Sequence, residues 1–126
     1  MDKDIDIIIY GATGFTGQLC VKYFQSLETP AKWAIAGRNQ EKLRKVAEEN
    51  LAEVEILIAD SDDEVALDNL TLRAKVILST AGPFHRYGSK LVASCVKNNS
   101  HYVDITGENF WVKGLIENHH EEAARK

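Results

Sequence analysis

The sequence has little sulfur, little proline and no surplus of positive charge. Of its 126 residues, two are cysteines, two are prolines and one is methionine. Cys20 and Cys95 each fall inside a helix-like pattern and share no metal-ligand spacing, which points to a reduced, cytoplasmic protein and not to a disulfide scaffold or zinc module. Few prolines and a charged fraction of 27% exclude a fibrous or disordered chain. With 15 Lys+Arg against 19 Asp+Glu the net charge is -4, so the basic stripe that nucleic-acid binding requires is missing. No apolar run approaches the ~20 residues of a bilayer span, and an N-terminus carrying Asp2, Asp4 and Asp6 is not a secretory signal. His85, His101, His119 and His120 form no metal-ligand set.

What is present is alternation. A hydrophobic content of 44% over this length suits one domain spanning 1–126, able to bury roughly two-thirds of its unfolded surface. Ile5 to Tyr10 reads as a strand buried on both faces, the signature of a parallel sheet covered by helices on two sides. Trp33 to Ala36, Val54 to Ala59, Lys75 to Ser79 and Tyr102 to Ile105 supply four more strands. Between them the spacing predicts helices. Phe15, Leu19, Cys20, Phe24 and Leu27 would face the sheet from the first. Leu43, Val46 and Ala47 would do so from the second, whose other side (Glu41, Lys42, Arg44, Lys45, Glu48) is solvated. A third starts at Ser61, where Glu64 completes a capping box. Leu91, Val92, Cys95 and Val96 mark the fourth, and Trp111, Leu115 and Ala123 the fifth. Five β-α units predict a doubly wound, Rossmann-type α/β fold with right-handed crossovers. Such a sheet normally continues into a sixth strand and there is no room for a substrate domain, so the chain is expected to be the N-terminal part of a longer protein.

The motif that carries chemistry follows the first strand: Gly11-Ala-Thr-Gly14-Phe-Thr-Gly17 opens the first helix. Gly11 permits a sharp exit from the strand, Gly14 a close approach of backbone to a diphosphate, and Gly17 tight packing of helix on sheet. The first-turn N–H groups and the positive end of the helix dipole then face the phosphates, with Thr13 and Thr16 as extra donors. The strand–turn–helix context makes this a dinucleotide site. The second strand ends in Ala36-Gly37-Arg38-Asn39, without the carboxylate that would hold an NAD ribose. Arg38 instead offers a permanently charged fork for a 2′-phosphate, which favours NADP over NAD, although it is also able to stack on adenine. Asn39 either caps the second helix or touches phosphate. Asp60 is placed to accept from the adenine amino group, or else belongs with Asp62, Asp63 and Glu64 as acids at a helix start. Thr80, Ala81, Gly82 and Pro83 follow the fourth strand at the topological switch point and would line the path from diphosphate to nicotinamide. Tyr87 and Lys90 are three apart where the Tyr-Lys pair of short-chain dehydrogenases needs four, which argues against that catalytic role. Asp104 and Glu108 either face the nicotinamide or cap a helix.

Several blocks together resemble one family. GATGFTG (Gly11 to Gly17), AGRN (Ala36 to Asn39) with Lys42-Leu43, STAGPFHRYG (Ser79 to Gly88), VASC (Val92 to Cys95) and HYVDITGE (His101 to Glu108) look like the saccharopine dehydrogenase-like oxidoreductases. The resemblance implies an N-terminal Rossmann domain binding NADP, followed by a mixed α/β domain that holds substrate. It carries the diphosphate loop to Gly11, Thr13, Gly14, Phe15 and Thr16, the adenosine-phosphate contact to Arg38, and the cofactor-facing loop to Thr80, Ala81, Gly82 and Pro83. It leaves the substrate and the catalytic residues unassigned and leaves room for a homo-oligomer. A non-catalytic NADP sensor or scaffold and an atypical short-chain dehydrogenase relative are the alternatives.

Overall fold

Each apolar run becomes a strand of one parallel sheet. The computed structural model describes residues 3–126, so Asp2 of the acidic N-terminal run lies outside the described residues. The strands are β1 (Ile5–Tyr10), β2 (Trp33–Gly37), β3 (Glu55–Ile58), β4 (Ala74–Ser79) and β5 (His101–Val103). The helices are α1 (Phe15–Leu27), α2 (Gln40–Glu49), α3 (Glu64–Arg73), α4 (Phe84–Tyr87), α5 (Ser89–Lys97) and α6 (Asn109–Arg125). The strand order is β3-β2-β1-β4-β5, with β1 between β2 and β4, Ile8 opposite Ala34 on one side and Ile77 on the other. This is the doubly wound fold that the alternation predicts.

Successive residues of β1 serve opposite faces. Ile8 joins Leu67, Leu70, Ile77, Leu91 and Cys95 beneath α3 and α5. Ile9 joins Val21, Ile35, Leu43, Val46 and Ala47 beneath α1 and α2. Each of the buried Ile, Leu and Val side chains among these contributes about 1.5–3 kcal/mol by leaving water, which explains the unbroken Ile7-Ile8-Ile9 of β1. The buried stripe of α2 is the predicted one, and its outer face carries surface pairs such as Lys45–Glu49.

Three expectations need correction. The α1 stripe is not Phe15, Leu19 and Leu27: Phe15 is 83% exposed, and Leu19 and Leu27 are also exposed. The helix packs through Gly17 and Val21, with Cys20 and Phe24 partly buried against the same cluster. That set is spaced 17, 20, 21, 24, the ordinary inward face of a helix. The third helix does not begin at Ser61 with a capping box. The Asp62 N–H donates to Oδ1 of Asp60 at 2.9 Å, making a turn there, and Asp63 is the N-cap, its Oδ1 accepting from the Ala66 N–H at 3.1 Å. The region after Pro83 holds an additional helix, the single turn α4, too short to leave a periodic signal. Strand limits also shift slightly; β5 starts at His101 and ends at Val103, short of the expected Ile105.

The end of the sheet where the strands begin is closed by charge. Arg73 donates to both oxygens of Glu55 (2.6 and 2.8 Å) and of Asp4 (3.1 and 2.8 Å). The opposite end, where the strands finish, is left for the loops. Among the described residues no helix is long and apolar enough to cross a membrane.

Candidate functional site

A cleft of about 340 Å³ opens at the carboxyl ends of β1, β2 and β4. Its floor is the β1–α1 turn. Gly11 sits at φ +81°, and a Cβ there would meet the Ala81 nitrogen at 2.9 Å, so both the left-handed backbone and the close approach demand glycine. Gly14 is the N-cap of α1 and has no side chain to offer the helix; a Cβ on it would come no nearer than 3.6 Å to any atom, the Gly11 carbonyl oxygen. The first helical hydrogen bond runs from the Gln18 N–H to the Gly14 carbonyl. The N–H groups of Phe15, Thr16 and Gly17 therefore take no intrahelical acceptor, and no acidic residue occupies the first turn. Gly17 faces inward: a Cβ would lie 2.2 Å from the Gly11 oxygen.

The β4 loop is fastened to this turn. The Thr80 N–H donates to the Tyr10 carbonyl at 2.9 Å, and its hydroxyl lies 3.1 and 3.0 Å from the Tyr10 and Gly11 carbonyls. Tyr10 ends β1 with its hydroxyl donating to the Ala59 carbonyl at 3.0 Å. Burial pushes that phenol up to about 12, so it stays protonated and serves as a hydrogen-bonded wall.

Arg38 forms the side of the cleft at the end of β2. It is exposed and, among the described residues, enters no ion pair. Its neighbour Asn39 is engaged as the N-cap of α2, Oδ1 accepting from the Lys42 N–H at 3.0 Å. Of the residues singled out from the sequence, Gly11, Thr13, Gly14, Arg38, Thr80, Ala81 and Gly82 line the cleft together. The side chains of Phe15, Thr16, Asn39, Asp60 and Pro83 and the inward-facing Gly17 do not. Sequence reasoning passed over Tyr10, Gly37, Ser61 and Tyr87 as members of this lining; the position of Tyr10 and Gly37 at strand ends was the available signal.

Glu108 and Asp104 resolve to structural partners. Glu108 accepts from the N–H groups of Phe84 (2.7 Å) and His85 (3.1 Å) and pairs with the His85 Nδ1. The His85 side-chain bond, aided by these backbone donors, holds its carboxyl down at about 2. It thus ties the β5–α6 loop to the start of α4. Asp104 accepts from the Tyr102 hydroxyl at 2.6 Å and the Thr106 N–H at 3.0 Å. Tyr87 closes α4 while Lys90 belongs to α5 and reaches Asp62 at 3.6 Å, so the two do not form a catalytic pair.

A glycine turn feeding an open helix start, beside an exposed arginine at the next strand end, is an arrangement for a phosphorylated dinucleotide. Comparison with known proteins agrees. The sequence model of the family described as "Saccharopine dehydrogenase NADP binding domain" matches residues 7–126. Trans-acting enoyl reductases of Mycobacterium tuberculosis and Mycobacterium leprae are each 38% identical, over 126 and 125 residues. These matches take in 98% and 97% of this chain and 30% of each relative, so the chain spans under a third of their length. Among solved structures, the saccharopine dehydrogenase (L-Glu forming) of Saccharomyces cerevisiae superimposes with a TM-score of 0.69 at 17% identity, over 88% of this chain and 24% of that one. AtPrR2 with NADP+ and (+)pinoresinol gives 0.66 at 13% identity, over 98% and 48%. These two share the fold. The chain belongs to the saccharopine dehydrogenase NADP-binding domain family.

Proposed function

We propose that this chain is the cofactor-binding domain of a longer NADP(H)-dependent reductase. The observation that carries the assignment is the cradle itself: Gly14 puts no side chain at the start of α1, where the N–H groups of Phe15, Thr16 and Gly17 have no intrahelical acceptor. In this reading the N–H groups of Phe15 and Thr16 and the hydroxyl of Thr13 hold the diphosphate, and Arg38 holds the 2′-phosphate. Ala81 and Gly82, small and at the β4 end, leave the path toward the nicotinamide clear. Gly17 and Thr80 act by fixing the turn, and Pro83 by shaping the loop exit. Asn39 and Asp60 keep their helix-cap and turn roles, so their contact with nucleotide is limited to what their remaining atoms reach. The bound cofactor supplies hydride exchange at its nicotinamide, and the protein supplies position and electrostatics.

Substrate groups would come from chain outside this domain, in keeping with relatives of more than three times its length. The name of those relatives makes an enoyl compound the first substrate class to try. The decisive experiment incubates the full-length protein with NADPH and a panel of enoyl, carbonyl and imine compounds. NADPH oxidation on one class supports the reductase; tight NADPH binding with no oxidation on any favours a sensor. For the cofactor itself, Arg38→Ala removes a charged hydrogen-bond partner worth ~1.5–3 kcal/mol, hence roughly ten- to hundredfold in NADPH affinity, with a smaller loss for NADH, which lacks the 2′-phosphate. Equal losses for the two nucleotides would show that Arg38 does not read the 2′-phosphate.

A further inference from the structure

We propose that Tyr87 is the aromatic wall of an adenine subsite in this cleft, a positioning residue whose ring faces the base from the β4 side while Arg38 stands on the β2 side. The proposal rests on the dinucleotide reading above and adds a recognition element to it. Strand order sets the two groups on either side of β1: Arg38 follows β2 and Tyr87 follows β4. Both nevertheless line one cavity, together with Ser61 from beyond β3. Lys90, in the first turn of α5, reaches the Asp62 carboxylate at 3.6 Å and its carbonyl at 3.5 Å, an exposed contact that places the α4–α5 corner beside the β3–α3 loop. That is the half of the sheet on which the adenosine moiety lies if the diphosphate sits at α1.

The corner is held rigid from behind. Phe84 and Trp111 are buried and stacked at 6.0 Å, Glu108 caps α4 through the Phe84 and His85 N–H groups, and a Cβ on Gly88 would strike Trp111 at 2.7 Å. Of the aromatic side chains in this segment, Phe84 is spent on the core; Tyr87 is half-buried and turned to the cavity. A purine offers two flat faces and a polar edge. A tyrosine ring fixed in advance on one side and a guanidinium plane on the other match the faces, as aromatic stacking is indifferent to base identity. Ser61 is then placed for the edge.

The test uses displacement of NADPH fluorescence by 2′,5′-ADP, which carries the adenosine half alone, with melting curves as the fold control. Tyr87→Ala weakens NADPH and 2′,5′-ADP by the same factor, about five- to hundredfold. Tyr87→Phe keeps both affinities, and Tyr87→Leu, which retains bulk without an aromatic face, loses them. If the alanine variant does not fold, the Phe and Leu pair carries the comparison. Loss of NADPH with unchanged 2′,5′-ADP would move Tyr87 to the nicotinamide half and overturn the proposal while leaving the cofactor reading intact. Equal binding by the Phe and Leu variants would also overturn it. Wild-type protein that binds neither ligand would instead refute the dinucleotide reading, and the subsite with it.

Discussion

Alanine at Gly17 and alanine at Gly14 should separate folding from binding. At Gly17 the added Cβ would lie 2.2 Å from the Gly11 oxygen and 2.7 Å from Ala12 Cα, roughly 1 Å inside ordinary contact distances. Both obstructing atoms are backbone, so no side chain is able to swing away and α1 must lift from β1. Overpacking of this kind costs about 1–3 kcal/mol. For 126 residues the unfolding entropy is roughly 0.26 kcal/mol per kelvin, so the melting temperature should fall by about 4–11 °C. At Gly14 the nearest atom is 3.6 Å away and φ is −75°. There the reduced freedom of the unfolded chain roughly offsets the poorer N-cap, and the melt should stay within about 2 °C of wild type, an offset of ~0.5 kcal/mol. Yet the new methyl group stands where a diphosphate would lie, and NADPH affinity should drop at least tenfold. Calorimetric melts and NADPH titrations of the two variants decide the matter. A Gly17→Ala protein as stable as wild type, or a Gly14→Ala protein that binds NADPH normally, would refute the division of labour assigned to these glycines.

Other expected outcomes concern the supports of the site. The Glu108 carboxyl is held at about 2 against an ordinary 4.5, so its stabilising effect is complete above pH 4.5 and disappears as pH falls toward 2. Glu108→Gln should lower the urea midpoint at pH 7, and the gap from wild type should close between pH 4.5 and 2; a gap independent of pH would contradict this. Asp63→Ala should cost ~1 kcal/mol, the usual value of an N-cap, whereas Ser61→Ala should change stability by less than about 0.5 kcal/mol. Urea unfolding of both variants checks the pair, and the reverse ranking would restore the capping box.

The central strand β1 is readable because a strand buried on both faces writes itself as an unbroken aliphatic run, as in Ile7-Ile8-Ile9. The diphosphate turn was readable because its glycines are demanded by local geometry. In helix α1 the bulky residues are not the buried ones. Phe15 sits in the first helical position, ahead of the inward face, and the small Gly17 and Val21 fill the narrow space against β1. The third helix start was ambiguous among Asp60, Ser61 and Asp63, each a good turn or cap former, and only the three-dimensional path chose Asp63. Glu108 lies 24 and 23 residues from the N–H groups it caps, and Tyr87 and Arg38 come to line one cleft only through the folding of two loops. Such non-local pairings leave no mark in periodicity or spacing.

Thr80 has a consequence for how a nucleotide would be received. Its amide and hydroxyl stitch the β4 loop onto the last residue of β1 and onto Gly11, and Gly11 lies so near Ala81 that a Cβ on it would come within 2.9 Å of the Ala81 nitrogen. The β1–α1 turn and the β4 loop are thus joined to one another directly, not only through the sheet. Docking of a nucleotide should need little reorganisation at this seam.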